Sequence, residues 1–135
     1  MIAPHVEVPG YQVRSGCDVV ALSDIEESLI AFGDRFLHRI YTPDELATCD
    51  GPSRLARLAA RFAAKEAAIK AFARPDAAFI PREIEVITAD SMPTLRLTGS
   101  AARLAAEQRW EHASVSMTHA GCHAAAVVVA VCAEA

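Results

Sequence analysis

Hydrophobic and polar positions change period several times along the chain, and each change marks an element. From Tyr11 to Val20 they alternate: Tyr11, Val13, Cys17 and Val19 share one phase and Gln12, Arg14 and Asp18 the other, which predicts a strand. Ser23 followed by Glu26 has capping-box spacing and Gly33 supplies a stop, so a helix is expected over about 24–32. Thr42, Pro43 and Glu45 repeat that start signal for a short helix, with proline at the first helical position, where its missing N–H costs nothing. Gly51-Pro52-Ser53 breaks it, and Ser53 is placed to cap the most helical segment, Arg54 to about Ala73.

Beyond Pro75 the period returns to two. Ile84, Val86, Leu95 and Leu97 alternate with polar residues on either side of Asp90-Ser91-Met92-Pro93, which predicts a β-hairpin. Ser100 opens an alanine-rich helix to about Arg109, and two apolar runs, 113–118 and 124–131, flank the segment His119 to His123 as a second hairpin. The order is strand, three helices, hairpin, helix, hairpin: an α+β fold with a largely antiparallel sheet.

The chain has 135 residues, 53% of them hydrophobic and 22% charged, with a net charge of −4. That length suits one domain, expected over 11–135 after an N-terminal extension, 1–10, and the composition excludes intrinsic disorder. The longest wholly apolar run, Ala124 to Ala133, falls far short of the roughly 20 residues of a membrane-spanning helix. No membrane is expected as a partner, no signal peptide is read, and the expected place is the cytoplasm. The acidic balance argues against a nucleic-acid partner. Four scattered cysteines without a CxxC pair are expected as reduced thiols, and the spacing of His119, Cys122 and His123 matches no standard zinc site. Against 11 arginines there are only two lysines, Lys65 and Lys70, and both flank Glu66.

On a helical wheel Leu55, Leu58, Phe62, Ile69 and Phe72 form an apolar stripe, with Glu66 at its edge. A partly desolvated carboxylate needs a partner. Two readings stay open: an i, i+4 ion pair with Lys70, or a ligand for a hard cation, which prefers oxygen donors. Arg54, Arg57, Arg61 and Lys65 form a cationic ridge on a second face, and a ridge of this kind beside a metal carboxylate is what binding a pyrophosphate requires. Asp18, at the polar phase of the first strand, is either a solvent-facing residue before a turn or a second carboxylate for Mg²⁺; 48 positions separate it from Glu66.

These residues fall into a recognisable series. Gly16-Cys-Asp18-Val-Val, Arg35-Phe36, Thr42-Pro-Asp-Glu45-Leu, the block from Leu58 through Arg61-Phe-Ala-Ala-Lys65-Glu66 to Lys70-Ala, Ile84-Glu-Val, Val115-Ser116-Met-Thr118-His119 and Ala124-Ala-Ala-Val resemble the holo-acyl-carrier-protein synthase family, the short single-domain 4'-phosphopantetheinyl transferases. The match spans about 16–131. The resemblance implies the fold of that family, a mostly antiparallel sheet wrapped around a long helix, in a homotrimer with interfacial active sites. It implies transfer of 4'-phosphopantetheine from coenzyme A to a serine of an apo acyl carrier protein or carrier domain, with Mg²⁺, releasing 3',5'-ADP. Asp18 and Glu66 would then hold the metal, Glu66 would be general base, and Lys70 would stabilise phosphate charge. Arg61, Lys65, Ser116, Thr118 and His119 would hold coenzyme A, and Arg35 and Arg39 would meet the carrier. The alternative is a non-catalytic relative that binds coenzyme A or a carrier as an accessory subunit. Where the family commonly has an arginine opening the first helix, this chain has Asp24 in the run Asp24-Ile-Glu-Glu, which repels an acidic partner. The loop after the lysine helix, Phe72-Ala-Arg74-Pro75-Asp76, lacks the family's glycine, and so does the hairpin around Ser91-Met92.

Overall fold

The computed structural model describes residues 9–89 and 92–135. Strand β1 (Tyr11–Ala21) runs straight into helix α1 (Leu22–Phe32), followed by α2 (Asp34–Ile40), α3 (Pro43–Cys49) and the long α4 (Arg54–Phe72). A 3₁₀ turn at Pro81–Glu83 leads into β2 (Ile84–Ala89) and β3 (Met92–Leu97); α5 (Gly99–Glu107), β4 (Trp110–Ala120) and β5 (His123–Ala133) complete the order. Two antiparallel sheets result, β1-β5-β4 and β2-β3. The expected α+β class is found. The turn expected at Asp90-Ser91, and residues 1–8 of the expected N-terminal extension, lie outside the described residues.

Local chemistry explains where elements start. Thr42 and Glu45 form the expected reciprocal capping box on α3. Ser23 does not cap α1: β1 feeds the helix directly through Ala21, and the Leu22 amide donates to the Cys122 carbonyl at 2.8 Å. Ser53 sits at the N-cap of α4 but makes no capping bond, because its backbone is left-handed at φ 63°. The N-terminus of α5 is capped from outside, by the Glu83 carboxylate, which accepts from the Ser100 hydroxyl and from the Ser100 and Ala101 amides. Helix α2 went unpredicted; Gly33, at φ 55°, ends α1 and starts it.

The faces of β1 are inverted relative to ordinary amphipathic logic. Its apolar phase is the open one, with Val13 and Val19 54% and 64% exposed, whereas Arg14, Gly16 and Asp18 are half-buried. Gly16 explains the inversion. A Cβ there would overlap the Ala67 carbonyl oxygen and stand 2.8 Å from the Ala71 amide nitrogen, so β1 lies with backbone directly on the backbone of α4. The helix matches this approach with small residues: Ala59, Ala60, Ala63, Ala64, Ala67, Ala68 and Ala71 are buried, while Leu55, Phe62 and Ile69 of the expected stripe are only half-buried. The far end of α4 is held by the Phe72 ring stacked on Trp110 at 4.2 Å and by its carbonyl, which accepts from Arg14 Nη1 and Gln108 Nε2.

Candidate active site

The close approach at Gly16 carries Asp18, two residues further along the same face of β1, onto the side chains of α4. Lys70 Nζ donates to Asp18 Oδ1 at 3.1 Å and to the Cys17 carbonyl at 3.0 Å. The ion pair that the helix alone suggested, Lys70 with Glu66, is therefore replaced by a pair across 52 residues. Glu66, one helical turn before Lys70, is half-buried and close enough to Asp18 to feel its charge. Burial pushes the Glu66 carboxyl upward first, repulsion from Asp18 adds to it, and Lys70 opposes both. A carboxyl raised in this way is closer to the pKa a general base needs at neutral pH.

Glu66 also lines a cavity of about 600 Å³. Arg35 and Arg39 of α2 line the same cavity, and Phe36, Phe62 and Ile80 add apolar surface to it. Two guanidinium groups and a carboxylate thus face one apolar space. Phe62 was read only as part of an apolar stripe, Phe36 only as part of a motif, and Ile80 not at all; nothing in their spacing separates a cavity wall from core.

Three expected positions behave differently. Lys65 was expected to hold coenzyme A, but it is 1% exposed and its ammonium donates to Glu45 Oε1 at 2.7 Å, the Ile84 carbonyl at 2.7 Å and the Pro81 carbonyl at 3.1 Å. An ammonium has three donors, so none is left for a phosphate. Burial pushes its pKa down and Glu45 opposes this. Arg61, 6% exposed, donates through Nη1 to the Arg57 carbonyl, and its buried Nε has no partner among the described residues. The ridge of four cations therefore turns inward along α4: Arg54 and Arg57 are exposed, Arg61 and Lys65 are not.

The third case is the segment Ser116 to His119. Ser116 pairs through Val127 with Cys17, and Thr118 through Ala125 with Val19, so both lie on the open face of the sheet. His119 pairs through Ala124 with Val20 and shares the helix-facing side with Asp18. Within one chain the sheet separates the two hydroxyls from Asp18 and Glu66.

The family profile described as the 4'-phosphopantetheinyl transferase superfamily matches residues 14–132. The chain belongs to that superfamily. Holo-[acyl-carrier-protein] synthases from Dehalococcoides mccartyi and Solidesulfovibrio magneticus are 41% and 45% identical to this transferase, over 86% and 84% of its length and 96% and 94% of theirs. Among solved structures, an ACPS–CoA complex from Chronobacterium ammoniagenes superposes with a TM-score of 0.80 at 28% identity, covering 92% of this transferase and 99% of that chain. An acyl carrier protein synthase from Mycobacterium tuberculosis gives 0.70 at 35% identity, covering 90% and 97%.

Among the described residues no three His, Cys, Asp or Glu side chains gather as a metal cluster. Magnesium asks for less, one or two carboxylates with water and phosphate oxygens completing the shell. Asp18 and Glu66 fit that requirement: two partly desolvated oxygen donors, the charge of Glu66 disfavoured by Asp18 and Asp18 already drawing the Lys70 ammonium.

Proposed function

We propose that this transferase moves 4'-phosphopantetheine from coenzyme A to a serine hydroxyl of an apo acyl carrier protein and releases 3',5'-ADP. The observation that carries the reading is the meeting of Asp18, Glu66 and Lys70 beside the arginine-rimmed cavity. The serine oxygen forms a bond to the β-phosphorus, the bond from that phosphorus to the oxygen bridging the two phosphates breaks, and the bridging oxygen leaves with 3',5'-ADP. Glu66, directly or through a water, takes the hydroxyl proton, consistent with its raised carboxyl. Lys70, 57% exposed, is free to offer its remaining donor to the phosphates while Asp18 and the Cys17 carbonyl hold it in place. Asp18 and Glu66 would hold Mg²⁺, which when bound supplies charge neutralisation at the pyrophosphate. Arg61, Ser116, Thr118 and His119 remain the coenzyme A positions of this reading, and Arg35 and Arg39 the carrier positions.

A homotrimer, with 11–135 as the transferase domain of each copy, is part of the same proposal. Val13, Val19 and Val127, at 54%, 64% and 46% exposure, give the open sheet face an apolar surface suited to a second copy. That face also carries Ser116 and Thr118, so an interfacial site would give both hydroxyls access to a ligand shared between copies. Four free cysteines suit the reducing cytoplasm proposed for it. The test is intact mass spectrometry of an apo carrier incubated with the protein, coenzyme A and Mg²⁺. A gain of one phosphopantetheine group, lost with Asp18→Ala or Glu66→Ala, supports the reading. Absence of any gain across a panel of carriers overturns it.

A further inference from the structure

The cavity is lined by the two arginines of α2, and the next helical turn of α1 beyond its lining carries an acidic residue. Arg35 and Arg39, one turn apart on α2, both line the space, and no acidic side chain of α2 does. On α1 the residues that line it are Ser28 and Phe32. Asp24 stands one turn before Ser28 on the same stripe of α1, about 12 Å along the helix axis from Phe32. It is exposed and makes no ion pair among the described residues. Helix α1 has no basic residue, whereas α2 carries His38 besides its two arginines. Phe32 and Ile80, 60% and 53% exposed, line the same cavity as the two arginines.

We propose that this surface fits a carrier of mixed charge: an amphipathic helix with acidic side chains over Arg35 and Arg39, an apolar residue over Phe32 and Ile80, and a basic side chain over Asp24. The inference rests on the transferase reading and narrows its partner. An acidic helix satisfies the α2 end alone, and the same charge laid against Asp24 is repelled. A cation there turns the repulsion into a pair. Asp24 is then a specificity-determining residue that leaves the chemistry at Glu66 and Lys70 untouched.

The experiment uses the full chain, coenzyme A, Mg²⁺ and two families of probe: an apo acyl carrier protein whose recognition helix bears only acidic charges, and versions with each acid replaced by lysine in turn. Asp24→Lys is expected to lower KM for the all-acidic carrier by about fivefold at low salt, with kcat within about twofold, and the gain disappears at high salt. One lysine-bearing carrier shows the reverse preference, a lower KM with the wild-type chain than with Asp24→Lys. Glu26→Lys adds the same charge roughly 160° round the helix and produces no such crossover. Equal KM values for Asp24→Lys and wild type, or a fall in KM shared by Glu26→Lys, overturns the proposal, as does a change in sedimentation of Asp24→Lys alone, which would place Asp24 against a second copy. A failure of the transferase reading looks different: no carrier gains mass with any variant, while calorimetric titration of the same carriers still reads the charge preference.

Discussion

Lys65 Nζ lies 2.7 Å from Glu45 Oε1, and both side chains are withdrawn from solvent, at 1% and 0% exposure. Glu45 caps α3 with the same carboxylate and accepts from the Val86 amide at 3.0 Å, so one buried pair joins α3, α4 and the start of β2. Lys65 also holds the carbonyl of Pro81, whose residue lines the cavity beside Glu66. A group with every polar atom satisfied and no path to solvent is a strut.

Removing one partner of such a pair strands a buried charge. Lys65→Met is expected to cost about 3–5 kcal/mol in urea unfolding, and the double variant with Glu45→Gln less than the sum of the two single changes. A Lys65→Met chain with unchanged stability and weakened coenzyme A binding would return Lys65 to the nucleotide site.

Gly16→Ala is expected to be among the most damaging single-methyl changes in the chain. The new carbon meets backbone on α4, not a side chain that could turn aside. A loss of about 3 kcal/mol or more, or failure to fold, is the expected outcome. If it folds, Asp18 is displaced from Lys70 and transfer falls with it. Wild-type melting and activity would show that β1 has another way to seat on the helix.

The element order was legible because period and capping signals are local: the Thr42–Glu45 box, the alternation in β1 and the apolar runs of β4 and β5 need no knowledge of the rest of the chain. Which face of β1 turns inward was not, because Val13 and Val19 outrank Arg14 and Asp18 on any hydrophobic scale while the deciding atom, the missing Cβ of Gly16, carries no hydrophobicity. The apolar stripe read on α4 was right for Leu58 and Phe72, which are fully buried, but it passed over the alanines that are buried beside them. Asp18, Glu66 and Lys70 were legible as residues through the motif, but their partners were not: Lys70 reaches across 52 positions to Asp18, and Lys65 across 20 to Glu45. One part of the site could have been read earlier. Ser116 and Thr118 differ in strand parity from His119, which already assigns them to opposite faces.

Lys70 is the residue at which the proposed chemistry and the stability of the fold can be told apart. Its pair with Asp18 is 57% exposed on the lysine side, and exposed pairs contribute about 0–1 kcal/mol. Lys70→Met is therefore expected to melt within a few degrees of wild type, while kcat for phosphopantetheine transfer falls by about 10²-fold, the usual effect of removing one charge-stabilising donor. Lys70→Arg is expected to impair transfer as well, since a planar fork cannot reproduce a compact ammonium shared among a carboxylate, a carbonyl and a phosphate. Normal turnover by Lys70→Arg would remove the lysine from the chemistry.

Magnesium is expected to stabilise the folded chain through Asp18 and Glu66. At 100 times its dissociation constant a ligand specific for the folded state adds about 2.7 kcal/mol, read as a rise in Tm. Asp18→Asn and Glu66→Gln should each abolish most of that rise. Glu66→Gln should in addition raise metal-free stability near neutral pH, because burial and Asp18 both disfavour the charged form of this carboxyl. A Tm that responds to Mg²⁺ equally in wild type and both variants would place the cation elsewhere.

Glu83 sets an acid limit on the fold. Its carboxyl is held below the usual glutamate range, first by the Ser100 hydroxyl and then by the Ser100 and Ala101 amides it accepts from, with Arg103 helping. A pKa lower in the folded than in the unfolded chain means that the unfolded chain binds more protons, so the contribution to stability is complete above the ordinary glutamate value and is lost as pH falls through the depressed one. Glu83→Gln keeps an acceptor at the start of α5 but cannot titrate, and it also forfeits the favourable charge at a helix N-terminus. The variant is therefore expected to be less stable than wild type at pH 7 and to converge on it as the pH is lowered, because protonation removes from the wild type what the substitution removed from the variant. Urea midpoints measured from pH 7 down through the carboxylate range check this. A constant gap between the two curves would mean that Glu83 holds α5 by shape alone and that its charge is immaterial.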